Sequence, residues 1–265
     1  MDSNAQNILV LSDLGGTTDT TLKSAVSLAN MINGRIELFH VKKPKDIVQM
    51  ENQLSAIRSI NEEKNRTRKS IQKMIQPIAQ TYGIPIQFNF AFGNVINEIG
   101  SYIKESRPDI IVMGKKQSKL LNLGSDRLTQ FILDEHEGPI IIAGMENSLE
   151  PNKQLSLGVF NGSYSSFTEN LLPFTEQPVK SFKIVHGDDT ISTYKHSENK
   201  DIVEYIFEAG DQTIKNISKY LSKSNVNLFS IDRRQSKSKN NIKSKHTDIL
   251  NIVNNINISL LLSSK

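Results

Sequence analysis

Residue types suited to gripping an anion gather in one stretch, Asp109 to Ser125, which reads D-I-I-V-M-G-K-K-Q-S-K-L-L-N-L-G-S. An apolar run stops at Gly114. Lys115, Lys116 and Lys119 follow, and Gly124-Ser125 then opens a segment carrying Leu128, Phe131 and Ile132 at helical spacing. A strand, a glycine break and a helix N-terminus bring unpaired backbone N–H groups together, and lysines add positive charge, which is the chemistry of anion binding. The same residues have a purely structural use, with Ser125 as helix N-cap and the lysines as solvated surface. A second polar position, Asp13, closes the apolar run at 8–11 just before Gly15-Gly16. There it can cap a turn or accept from a ligand.

Other chemistries find little support. His40, His136, His186, His196 and His246 are far apart and lack the close pairs of a zinc site. His40 falls inside an alternating strand with no partner near it in sequence, and reads as a satisfied histidine rather than a catalyst. The chain has no cysteine, which excludes disulfides and thiolate chemistry. The phosphate-loop and dinucleotide-binding glycine patterns are both missing. Asp134-Glu135 and Asp188-Asp189 are ordinary acidic pairs with no hydrolase arrangement legible around them.

The 265 residues are enough for one large domain or two ordinary ones, and the 37% of hydrophobic residues is concentrated in strand-like runs. No apolar run reaches the roughly 20 residues that span a bilayer. Met1-Asp2-Ser3-Asn4 opens no signal peptide, so the expectation is a soluble, cytoplasmic chain with no membrane partner. The first 150 residues are charge-balanced, and the excess of +4 falls on the remainder. Within it, Arg233, Arg234, Lys237, Lys239, Lys243 and Lys245 follow one another with no acid between them, and read as a solvated basic loop. The segment has no aromatic residue to stack a base, which argues against a nucleic-acid partner.

Positioning falls to alternating elements. Strands are expected at 8–11, 36–41, 84–90, 110–113 and 139–143. Helices are expected at 17–31, over 46–80 as one or two segments with Pro77 marking a kink or break, at 95–103 and around 128–133. Near-continuous apolar strands separated by helices predict an α/β fold, a doubly wound parallel five-stranded sheet with helices on both faces. Ligands in such sheets bind beyond the strands' carboxyl ends, where Asp13 and Gly114 both fall.

After Pro151 the rhythm restarts, with strands at 155–160, 182–185, 203–207, 228–231 and 258–262 and helices at 213–221 and 249–256. The likeness is literal in places: A-F-G-N-V-I-N-E-I-G-S-Y-I-K at 91–104 matches E-A-G-D-Q-T-I-K-N-I-S-K-Y-L at 208–221, and G-K-K-Q-S-K at 114–119 matches D-R-R-Q-S-K at 232–237. The fold is therefore expected to be duplicated in tandem, with domains at 1–148 and 149–265. The second copy is truncated: the stretch at 186–202 is too short for a full crossover helix, Asp232 stands for Gly114, and Asn161 stands for Asp13.

These residues resemble the universal stress protein family in its tandem-domain form. The resemblance rests on I-L-V-L-S-D at 8–13, E-L-F-H-V at 37–41, D-I-I-V-M-G at 109–114, L-G-S at 123–125 and G-P-I-I-I-A at 138–143. It implies that ATP or another adenine nucleotide would lie with its base by Asp13 and Val41 and its phosphates and ribose by Gly114, Gly124 and Ser125, with Lys115 and Lys116 adding charge. The family's loop is a Gly-x-x-Gly, a nine-residue spacer and a Gly-Ser or Gly-Thr pair. Here Gln117 replaces the second glycine and only residues 118–123 precede Gly124. A side chain at that position denies the backbone freedom the loop uses.

The resemblance therefore implies a non-enzymatic stress-response regulator or adaptor with a protein partner, its nucleotide binding weakened or lost. The alternative is a working adenine-nucleotide sensor, and a slow ATPase has no base or metal ligand to nominate. The family's dimers pair their last strands, so an intrachain pseudo-dimer would join 139–143 to 258–262.

Overall fold

Ile8, Leu9, Val10 and Leu11 are consecutive and all buried, which requires a strand covered on both faces. They form the core of β1 (Gln6–Ser12). The computed structural model describes residues 5–43, 53–115, 123–162, 164–185, 202–233 and 242–263, with backbone alone at 53–57, 123–126 and 242–248. By compactness the chain divides into two units, residues 1–114 and 115–265.

In the first unit, β1 is followed by α1 (Thr18–Ile32), β2 (Gly34–Lys42), α2 (Gln53–Tyr82), β3 (Ile86–Phe92), α3 (Val95–Ser106) and β4 (Ile110–Gly114). The strands run in the order β3-β2-β1-β4. All are parallel, with Ile8 opposite both Ile36 and Ile110. Helix α1 lies against β1, β2 and β4, and α2 against α1 and β3. Leu22, Ala25, Val26 and Leu28 supply α1's buried face, each larger side chain contributing about 1.5–3 kcal/mol. Pro77 neither breaks nor ends α2, which runs through it. Its interior proline costs about 3 kcal/mol, offset by burial of Ile71, Ile75 and Ile78 on the same helix.

The second unit holds α4 (Leu123–Glu135), β5 (Ile140–Ala143), β6 (Leu157–Phe160), α5 (Ser166–Leu171), β7 (Val179–Val185), β8 (Ile202–Glu208), α6 (Thr213–Lys223), β9 (Leu228–Ile231), α7 (Ile242–Asn255) and β10 (Ser259–Leu262). Strands β8-β7-β6-β9-β10 are mutually parallel, repeating the order β3-β2-β1-β4 and adding a fifth strand. The fold is two tandem α/β repeats, five strands each, flanked by helices. Their last strands, β5 and β10, pair antiparallel with Leu261 opposite Ile141, the pairing that the family resemblance implied. The helix α5 went unforeseen. At six residues it is too short to show a period. Its signal is local, Ser165 accepting from the Thr168 N–H as N-cap.

Two expectations need correction. Ser125 is not an N-cap, because α4 begins at Leu123 and holds Gly124 and Ser125 in its first turn. Nor is Arg233 part of a solvated loop, since it is buried at 8% exposure. The guanidinium donates to the carbonyls of His136 (3.1 Å), Glu137 (3.0 Å) and Gly138 (2.6 Å) beyond α4, and through Nε to Ser263 beyond β10. Helix ends leave carbonyls unpaired, and a rigid fork of five donors suits several at once. Burial pushes its pKa down to about 10, against the pull of Asp232, so it stays charged at neutral pH. Lys243 and Lys245, expected in the same loop, stand instead in the first turn of α7, and residues 234–241 lie outside the described residues.

Removing this fork would leave several buried carbonyls unpaired. Arg233→Ala should lower the unfolding free energy by about 3 kcal/mol, measured by urea denaturation of the full chain, with Arg233→Lys in between. An unchanged midpoint for both variants would contradict this role.

Candidate functional site

The carboxyl ends of parallel strands share one edge of the first unit's sheet, and three expected site residues lie there. Asp13 follows β1, Val41 is the penultimate residue of β2, and Gly114 ends β4. The turn from β1 into α1 is held by its own side chains. Asp13 Oδ1 accepts from the Gly15 N–H at 2.9 Å, and Ser12 Oγ accepts from the Leu14 N–H at 3.0 Å. The Ser12 and Thr18 hydroxyls share a hydrogen bond of 2.8 Å. Leu14 sits in the left-handed region at φ 58°, a conformation costing about 1–2 kcal/mol for a residue with a side chain. The turn-capping use of Asp13 is thus present in the structure.

Gly114 has a packing reason of its own. A Cβ there would fall 2.6 Å from Thr21 Oγ1 and 2.7 Å from Thr17 Oγ1. The entry into α1 therefore crosses the end of β4 so closely that a side chain there would have to displace these threonines. Beside Val41, Lys42 pairs with Glu63 of α2.

His40 is buried at 7% exposure and its Nδ1 lies 2.9 Å from the Ser12 carbonyl. A carbonyl can only accept, so Nδ1 carries the proton. Burial pushes the imidazole's pKa below its ordinary value, the Ser12 bond and Asp13 opposing and Lys42 reinforcing. The ring is neutral at neutral pH. Sequence alone offered it no partner, because the contact arises from the β1–β2 register that sets Ser12 opposite His40.

The other expected site residues lie in the second unit. Lys115 is committed elsewhere: its ammonium donates to the carbonyls of Ile256 (2.6 Å) and Asn254 (3.2 Å) and to Asn257 Oδ1 (3.2 Å), at the C-terminal end of α7. A cation there meets the negative end of the helix dipole. Gly124 and Ser125 contribute first-turn backbone N–H groups of α4, which have no partner within the helix. Lys116, with Lys119 and Gln117, lies outside the described residues. Among the described residues, no group of three or more His, Asp or Glu could hold a metal ion.

In the second repeat the corresponding positions are taken up. Asn161 Oδ1 accepts from the Ile184 N–H at 3.1 Å. Asp232 is buried and accepts from the Ser263 hydroxyl at 3.1 Å.

Burial pushes the Lys115 pKa down to about 8 from 10.5, Glu146 opposing. Between those values the unfolded chain holds a proton that the folded chain has released, so Lys115 makes stability rise with pH. That contribution is complete above pH 10.5 and absent below about 8. The stability difference between wild type and Lys115→Met should therefore shift in favour of wild type from pH 8 to 10.5, read by urea denaturation. A difference independent of pH would contradict the burial of this ammonium.

Residues 4–132 match the model of the Universal stress protein family. No curated protein matches the chain. Among solved structures, the chain is similar to a universal stress protein from Archaeoglobus fulgidus DSM 4304, at 14% identity and TM-score 0.67, covering 98% of this chain and 96% of that one. It is also similar to a functionally unknown protein from Pseudomonas aeruginosa PAO1, at 10% identity and TM-score 0.58, covering 98% and 92%. A third is a putative universal stress protein from Pseudomonas aeruginosa UCBPP-PA14, at 10% identity and TM-score 0.58, covering 98% and 93%. These likenesses extend over both repeats and concern the fold. The family match places a universal stress protein domain at residues 4–132, and its α/β architecture recurs in tandem, giving two five-stranded repeats.

Proposed function

We propose that the chain is a non-enzymatic stress-response regulator or adaptor whose capacity to hold an ATP-type nucleotide is weakened or lost. The observation that carries this reading is Lys115, the first cation after β4, whose ammonium is spent on the carbonyl end of α7. Gln117 in place of a loop glycine, and the shortened spacer before Gly124, support it from the sequence. The second repeat supports it too, since Asp232 and Arg233 occupy the strand end corresponding to Gly114-Lys115 and spend their polar groups internally. We read that repeat as degenerate, with the repeat boundary at residues 148–149. Its role would be structural, and the regulatory output would pass through a protein partner in the cytoplasm. No helix among the described residues is long and apolar enough to cross a membrane.

A second reading is favoured by a specific observation. Asp13, Val41 and Gly114 lie on one sheet edge, where α/β folds bind ligands. In that reading the first repeat is a working sensor, with Asp13 and Val41 toward an adenine base. Solved universal stress proteins include one in complex with cAMP and one from Archaeoglobus fulgidus in complex with dAMP, which suggests those two ligands as probes beside ATP, ADP and AMP.

Titration calorimetry separates the two readings. The regulator reading expects dissociation constants of about 1 mM or weaker for all five, equivalent to about 4 kcal/mol of binding free energy. Affinity in the micromolar range, reduced about tenfold or more by Asp13→Ala, would overturn it in favour of the sensor.

A further inference from the structure

Three side-chain hydrogen bonds that shape the Asp13 turn start from Ser12 or Asp13, beside the backbone bond from the Thr18 N–H to the Gly15 carbonyl. Ser12 Oγ takes the Leu14 N–H and meets the Thr18 hydroxyl, and Asp13 Oδ1 takes the Gly15 N–H. While its hydroxyl serves the turn, the Ser12 carbonyl is held from the other side by the buried His40 ring at 2.9 Å. The imidazole thus fixes the last residue of β1, and the turn with its left-handed Leu14 is built outward from there.

The second repeat supplies a comparison within the same chain. Ser12 stands opposite His40 across β1 and β2, whereas Phe160 stands opposite Phe182 across β6 and β7. Phe182 is a fully buried hydrocarbon ring, stacked on Tyr205 and edge-on to Phe229, with no donor to offer. In that repeat the residue after the strand is Asn161. Its own side chain reaches the Ile184 N–H, and its N–H donates to the Phe182 carbonyl at 2.8 Å. The imidazole and the carboxylate therefore occur together in one repeat and are both replaced in the other.

We propose that His40 is the positioning residue of the Asp13 turn, acting through the Ser12 carbonyl to aim the Asp13 carboxylate along the sheet's carboxyl edge. Its bearing on ligand affinity rests on the reading that Asp13 faces a ligand, while its hold on the turn does not. The group required is one N–H donor at the place of Nδ1. An asparagine amide nitrogen reaches about as far from the backbone as Nδ1, a glutamine amide reaches further, and leucine has no donor.

The test is nuclear magnetic resonance of the full chain with His40→Asn, His40→Gln and His40→Leu. Wild type should show the Nδ1–H tautomer for His40 in its ring nitrogen shifts. The Leu14 and Gly15 amides should keep near wild-type shifts and exchange in His40→Asn. In His40→Gln and His40→Leu they should exchange at least tenfold faster, while Val10 and Leu38 stay protected. An Nε2–H tautomer would overturn the proposal, as would equal behaviour of the three variants or loss of protection spread evenly over β1 and β2. If wild type binds AMP, His40→Gln should weaken it several-fold and His40→Asn should not. If wild type binds no nucleotide, the sensor reading fails by itself and the exchange data still decide the role of His40.

Discussion

Parallel strand pairing is the constraint from which the rest follows. Each new strand must begin again at the edge where the last one began, so a crossover has to return the chain across a face of the sheet. Strand β1 pays for those coverings with four consecutive buried apolar residues, and the arrangement leaves the carboxyl edge as the place where polar residues can gather. Asp13, Val41 and Gly114 occur there because strands end there. The crowding of Thr17 and Thr21 over Gly114 follows from the same geometry, as α1 starts back across the sheet.

The two repeats place different chemistry on one topology. In the first, the edge carries a carboxylate on a turn anchored by an imidazole, and a glycine. In the second, the same strand ends carry an amide tied to the neighbouring strand, an aromatic core ring, and a buried Asp232. The crossover helices differ as well, α1 spanning 15 residues and α5 six. Arg233 shows where the second repeat's polar residues went. Its guanidinium joins the ends of α4 and β10.

Strands and helices with strong periodicity were legible in the sequence, and the 228–231 strand emerges with the expected ends. What was not legible involves backbone partners. Arg233 looked solvated because a run of cations usually is, and the carbonyls that receive it lie about a hundred residues away with no side-chain signal. Lys115 read as solvated surface or as an anion grip, because its acceptors, backbone carbonyls at the end of α7, leave no side-chain signal either. His40 had no partner in sequence because its acceptor is supplied by strand register. Ser125 was misread because α4 already starts at Leu123, two residues before it.

The central claim is that the phosphate end of this edge no longer retains a nucleotide. Native mass spectrometry of the freshly purified chain tests it directly, without added ligand. The account predicts one mass, that of the 265-residue polypeptide alone. A second species heavier by the mass of an adenine nucleotide, removed by unfolding and absent from Asp13→Ala, would contradict it.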